Sequence, residues 1–169
     1  MSDLATRIEP HVPALRRYAW ALLRDQDSAD DLVQDCLEKA VGGWHLHRNS
    51  NDTKAWLFTI LRNLYLNDLR RQRRRGQHVE LTADASHEAP DPDGERNLMT
   101  RDALQALSRL PEDQRSLLLL IGVEDFSYQQ AAALFGVPTG TIMSRLSRAR
   151  ESLRAAIEAG PRMTLRRVK

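Results

Sequence analysis

Apolar residues recur along this chain at three- and four-residue intervals, the spacing that puts side chains on one face of an α-helix. Leu15, Tyr18, Ala19 and Leu22 form one such face, and Pro13 suits the first turn of the helix that carries them. Leu32, Val33, Cys36, Leu37 and Ala40 form a second. Ser28 with Asp31 three residues on resembles a capping box, so this helix is expected from about Ser28 to Val41. The stretch "GGWHLHRNSNDT" then reads as a loop anchored by Trp44. A long helix follows from about Thr53 to Arg74, with Leu57, Ile60, Leu61 and Leu64 inward and Phe58 and Tyr65 widening the face. Farther on, Ala103, Leu104, Leu107 and Leu110 mark a helix, Pro111 starts another through "LLLLI", and two more are expected at Ser127–Phe135 and Thr139–Ala159. No useful strand-like alternation and no internal repeat interrupts this pattern. The chain is predicted to be all-α.

Between the two sets of helices, "GQHVELTADASHEAPDPDGERN" holds two prolines and two glycines and no sustained period. It reads as a flexible acidic linker over 76–97, separating small helical domains at 1–75 (three or four helices) and 98–160, with a basic tail at 161–169.

Net charge is only +2, but its distribution is uneven. Six arginines stand against Asp68 alone between Arg62 and Arg75. The linker reverses the sign with Glu80, Asp84, Glu88, Asp91, Asp93 and Glu95, and the tail is basic again. Separate charged blocks indicate separate surfaces with separate partners. The single cysteine, Cys36, excludes an intramolecular disulfide and fits a buried residue in a reducing cytoplasm. No apolar run reaches the ~18 residues that would span a bilayer, and the N-terminus lacks the apolar stretch of a signal peptide. His11, His45, His47, His78 and His87 are placed in loops or at a helix edge, without the paired acids or cysteines of a catalytic or zinc site. No enzyme, cofactor or metal is expected.

The sharpest local signal is the last helix pair. Ser127 and Gln130 form an S-x-x-Q capping box, Gly136 stands where a helix end needs a left-handed residue, and Pro138 starts the next helix. This is a helix-turn-helix, whose second helix commonly enters the DNA major groove. Ile142, Leu146, Ala149 and Leu153 share its inward stripe. Ser144, Ser147, Arg148 and Glu151 point away, with Arg145 and Arg150 on the flanks and Met143 beside Arg150. Thr141, Ser144, Arg145 and Arg148 offer donors for phosphates and base edges. A solvated basic helical face is the simpler alternative.

In the first half, Trp56, Thr59, Asn63, Asn67 and Arg70 line one stripe leading into "RRQRRR". An indole, amides and guanidiniums suit single-stranded DNA, where aromatics stack on bases and arginines hold phosphates. Trp56 fits a core position equally well, and the arginine run fits a solvated helix end. Asp31, Gln34, Asp35 and Glu38 form an acid-and-amide face that is either solvated or a dock for a basic protein.

The order "DDLVQDCLEKAV", "KAWLFTILRNLYLNDLRRQRR" and "LSRLPEDQRSLLLLIGVEDFSYQQAAALFGVPTGTIMSRLSRARESL" closely resembles a bacterial sigma factor of the extracytoplasmic-function group, group 4. The resemblance covers nearly the whole chain. It implies a cytoplasmic initiation factor that binds the largest and second-largest subunits of core RNA polymerase and directs it to promoter DNA. Asp31, Gln34 and Asp35, with Glu38 beside them, would dock on the clamp helices of the largest subunit. The loop Arg48–Lys54, with Asn49 and Asn51, and the stripe Trp56, Thr59, Asn63, Asn67, Arg70, Arg71 and Arg74 would read and melt the −10 element, capturing a flipped base. Ser127, Thr139, Thr141, Met143, Ser144, Arg145, Arg148 and Arg150 would read the −35 element. The acidic linker would thread towards the active-site and RNA-exit channels. An anti-sigma factor is an expected partner, and membrane insertion is not expected. Many relatives have Lys or Arg where this chain has Met143, and the loop "HRNSNDTK" is distinctive, so the promoter sequence is expected to be unusual. A dimeric helix-turn-helix regulator and a sigma-like decoy that binds an anti-sigma factor are the competing readings.

Overall fold

The computed structural model describes residues 2–48, 50–76 and 94–160. Helix α1 spans Ser2–Ile8, and a 3-10 turn at Glu9–His11 leads into α2, Val12–Leu23. Then come α3 (Gln26–His47), α4 (Thr53–Arg74), α5 (Gly94–Ser108), α6 (Glu112–Gly122), α7 (Tyr128–Phe135) and α8 (Thr139–Glu158). Every element among the described residues is helical, as the periodicity predicts, but three boundaries differ.

Helix α1 is absent from the sequence reading; Leu4 and Ile8, one turn apart, seat it on the core. Helix α3 starts earlier than expected, because Asp25 is the cap: its side chain accepts a hydrogen bond from the Ser28 amide at 2.9 Å. It also runs on through Gly42 and Gly43 to His47, so "WHLH" is its last turn and no loop. Tertiary packing overrides the weak helical propensity of the two glycines. A Cβ on Gly43 would lie 3.5 Å from the Trp56 ring, and Trp44 and His47 of the same turns pack on that ring too. Helix α5 begins at Gly94, inside the segment read as linker; 77–93 and the tail 161–169 lie outside the described residues.

The main core crosses from one half of the chain to the other. Leu15, Tyr18, Leu22, Cys36, Leu57, Phe58 and Leu61 share one buried cluster with Leu119, Leu120 and Phe126. Cys36 is the small core residue expected; its Sγ donates to the Leu57 carbonyl, and burial pushes the thiol up to about 12. A second, smaller cluster of Leu117, Ala131, Ala132, Ile142 and Leu146 holds the helix-turn-helix together.

Polar groups are matched across the same junction. The Tyr18 hydroxyl meets Ser116 Oγ at 2.5 Å, and Arg115 donates to the Leu22 carbonyl at 3.2 Å. Arg17 grips the buried Glu124 carboxylate through two bonds of 2.9 and 2.8 Å. Arg62, counted above as one arginine of a basic block, is buried. It pairs with Asp113 at 2.8 Å, approaches Glu112 at 3.7 Å and lies over the Phe135 ring.

Glu112 carries the cost of this junction. Desolvation, reinforced by its hydrogen bond with Asp113, raises its carboxyl from 4.5 to about 7, although Arg62 pulls the other way. Its Oε1 is buried without a partner. A raised carboxyl favours the folded state while protonated, so stability falls as pH rises from 4.5 to about 7 and is level above that. The shift corresponds to on the order of 3 kcal/mol, reduced to about 2 by partial solvent contact. Glu112→Gln is therefore expected to stabilise the protein by about 2 kcal/mol at pH 8 and by nothing at pH 4.5. Urea unfolding at both pH values checks this, and an equal effect at the two would contradict it.

Candidate nucleic-acid interface

Helix α4 is positioned by its cap and its buried face. Asp52 accepts from the Ala55 amide at 2.9 Å, while Leu57, Phe58, Leu61 and Tyr65 are buried. The opposite face carries the predicted stripe. Asn63, Asn67, Arg70, Arg71 and Arg74 are exposed. Arg70 makes a long contact with Asn67 Oδ1 at 3.5 Å, and Arg71 pairs with Asp68. Thr59 donates its hydroxyl to the Ala55 carbonyl at 2.8 Å, leaving it as an acceptor. These surface partners are weak and exchangeable, so the guanidiniums stay open to phosphates.

Trp56 takes up the core-facing position that the sequence allowed it. It is half-buried, packs on the core cluster and stacks on His47 with centroids 4.0 Å apart and planes 5° from parallel. Trp44 leans on both rings, at 6.1 Å from each. His47, the last residue of α3, is buried. Desolvation lowers its pKa, the Arg7 charge adds to that, and Asp52 opposes it. Trp44 and His47 lie three residues apart on α3, a spacing that could have marked them as one face. The loop beyond them has Ser50 half-buried and Asn51 exposed; Asn49 lies outside the described residues.

On α3, Asp31, Gln34, Asp35 and Glu38 are all exposed, and Gln34 donates to Glu38 at 3.2 Å. Beside them runs a groove lined by Arg16, Asp30, Val33, Leu37 and Val41. An acidic ridge with an apolar furrow can receive a helix that presents both basic and apolar side chains.

The helix-turn-helix forms as the sequence predicts. Ser127 accepts from the Gln130 amide at 3.0 Å and Gln130 Oε1 accepts from the Ser127 amide at 2.9 Å, while Gly136 ends α7 at φ 66°. Ile142, Leu146 and Ala149 anchor α8, with Leu153 half-buried. Met143, Ser144, Arg148 and Arg150 are exposed, and Thr139, Thr141 and Arg145 are half-buried at the flank. Ser144 donates to the Thr141 carbonyl at 3.1 Å. The far end of α8 is held by Arg109, which donates to the carbonyls of Ala156 and Gly160 at 3.2 and 2.7 Å. That cap places a cation where the helix dipole favours one. It joins residues 47 and 51 positions apart, a distance no local pattern reveals.

Residues 8–62 match the family described as the sigma2 domain of PhyR, and residues 100–153 match sigma-70 region 4. The ECF RNA polymerase sigma factor EcfG of Rhodopseudomonas palustris is 41% identical over 166 residues, 93% of this chain and 90% of that one. The ECF RNA polymerase sigma factor SigC of Mycobacterium tuberculosis is 33% identical, over 89% of this chain and 83% of its own. Among solved structures, the sigma factor RpoE of Bartonella quintana, in complex with the anti-sigma factor NepR, superposes with a TM-score of 0.78 at 38% identity, covering 94% of this chain and 98% of that one. Two matched domains in the same order, and relatives similar over nearly their full length, place the chain: it belongs to the ECF family of RNA polymerase sigma factors.

Proposed function

We propose that this protein is a group 4 sigma factor that binds core RNA polymerase in the cytoplasm and directs it to promoters, without catalysis of its own. The observation that carries this reading is the pair of open polar and basic arrays, on α4 and on α8, each backed by a buried face in one chain of this family. Residues 1–75 form the polymerase-docking and −10-reading domain. The acidic segment 76–97 links it to a −35-reading domain over 98–160, followed by the basic tail 161–169. Asp31, Gln34, Asp35 and Glu38 meet the polymerase, with contacts to its largest and second-largest subunits. Asn51, Trp56, Thr59, Asn63, Asn67, Arg70, Arg71 and Arg74, together with Asn49, serve the −10 element. Ser127, Thr139, Thr141, Met143, Ser144, Arg145, Arg148 and Arg150 serve the −35 element. An anti-sigma factor akin to the NepR bound by the Bartonella relative is the inferred regulator.

The match of 8–62 to the sigma2 domain of PhyR favours a second reading, a decoy that occupies an anti-sigma factor without touching DNA. The exposed arginines of α4 and α8 are unnecessary for such a decoy and weigh against it. Reconstitution with bacterial core polymerase and mapping of transcript starts on genomic DNA separates the two; no specific initiation would leave only the decoy.

Arg148 faces outward as the candidate base reader, and Arg150 lies on the flank as a phosphate contact. Arg148→Ala is expected to cost about 1–3 kcal/mol at cognate −35 sites and to relax base preference. Arg150→Ala should weaken all sites alike and lower the salt dependence by roughly one charge. Titration of mapped promoter duplexes at several salt concentrations distinguishes the two roles, and identical behaviour of both variants would remove the assignment.

A further inference from the structure

Helix α1 places one side chain on the loop between α3 and α4. Leu4 and Ile8 bind α1 to the core, and Arg7, between them on the helix, reaches across to residues more than forty positions away. Its Nη1 donates to the Arg48 carbonyl at 2.6 Å, and its Nη2 donates to the Ser50 carbonyl. The same guanidinium lies 5.2 Å from the centroid of the Trp44 ring. Below that ring stand His47 and Trp56, stacked on each other. One planar fork thus fixes the two carbonyls on either side of residue 49 and leans on the aromatic layer beneath them. The turn itself is closed by the Ser50 amide, which donates to the His47 carbonyl at 2.7 Å.

The loop has a second brace, from the other half of the chain: Gln130 Nε2 donates to Asp52 Oδ2 at 2.8 Å. That brace depends on the packing of α7 against α4. The Arg7 fork lies wholly within the first half.

We propose that Arg7 is a positioning residue for the −10-reading loop, presetting the Arg48 and Ser50 carbonyls and the Trp44, His47 and Trp56 layer to receive an unstacked base. This rests on the sigma-factor reading above. A loop set before binding loses less conformational freedom when it closes on a base, so the fork increases both the rate of opening and the discrimination between bases. Two carbonyls held by one planar group require a guanidinium; a lysine keeps the charge but not the fork.

The first test needs no promoter. Arg48 is a tryptic site inside the clamped turn, so cleavage after it in the full-length protein reports how often the loop opens. Arg7→Ala should raise that cleavage by at least about tenfold, and Arg7→Lys should raise it nearly as much, with far-UV circular dichroism unchanged. Equal cleavage of Arg7→Lys and wild type overturns the fork, even if Arg7→Ala folds poorly. The second test uses holoenzyme on a promoter mapped with the wild-type protein. Both variants should form open complexes about tenfold less well and should discriminate less between the cognate −10 element and single-base variants of it, with core-polymerase affinity unchanged. A merely structural role would lower protein stability and leave the discrimination ratio where it was, which would overturn the proposal. Absence of specific initiation by the wild type would overturn the sigma reading and the −10 role together, while the cleavage assay still decides the clamp.

Discussion

Exchange of both Asp31 and Asp35 for lysine is expected to abolish binding to bacterial core RNA polymerase while leaving the fold intact. Both side chains are exposed on α3, so neither supports the core, and lysine is a good helix former. The opposite side of the same helix, with Leu32, Val33, Cys36 and Ala40 buried, is untouched. On the proposed docking face, each reversal replaces an attraction to a basic partner by a repulsion, at a site desolvated on binding. Loss of one such contact costs roughly 2–5 kcal/mol, and reversal of two should weaken the complex by several hundredfold or more. Fluorescence anisotropy of labelled protein against core enzyme measures the loss, and circular dichroism verifies the helix content. Unchanged affinity would move the docking surface elsewhere, with the groove beside Val33, Leu37 and Val41 as the next place to look.

The exposed acid-and-amide face of α3 was readable in advance because an exposed stripe opposite a regular apolar one is a local property of a helix. The same holds for the α4 stripe and for the helix-turn-helix, where the Ser127–Gln130 box and Gly136 state their roles within ten residues. What escaped is non-local. Nothing near Arg62 distinguishes it from Arg70 or Arg71, yet Asp113 and Phe135, distant in the chain, turn it from a surface charge into a buried one. The "GGWHLH" stretch has loop composition, and only the Trp56 ring explains why it stays helical. Arg7 lacked even a predicted helix to sit on. The missed residues concentrate around the loop between α3 and α4 and at the junction between halves, where contacts across the chain outweigh local propensity.

The largest stability effect is expected at that junction. Leu120 on α6 is fully buried in the cluster that also holds Tyr18, Leu57 and Phe58. Leu120→Ala should cost about 2–5 kcal/mol, from lost burial and the cavity left behind. For a chain of this size that is a fall of roughly 10 °C in melting temperature. The position of the probes gives the experiment its force. All three tryptophans, Trp20, Trp44 and Trp56, lie in the first half, whereas Leu120 lies in the second. If the halves share one core, a cavity made in the second must lower the transition seen by tryptophan fluorescence and the one seen by circular dichroism together. Independent halves would instead show a fluorescence transition at its wild-type midpoint while part of the helical signal melts early. That second outcome would remove the shared core from the solution state. The buried Tyr18–Ser116 contact and the bonds from the exposed Arg17 to the buried Glu124 favour the first, because separation of the halves breaks them along with the apolar packing. Such coupling makes the junction cooperative.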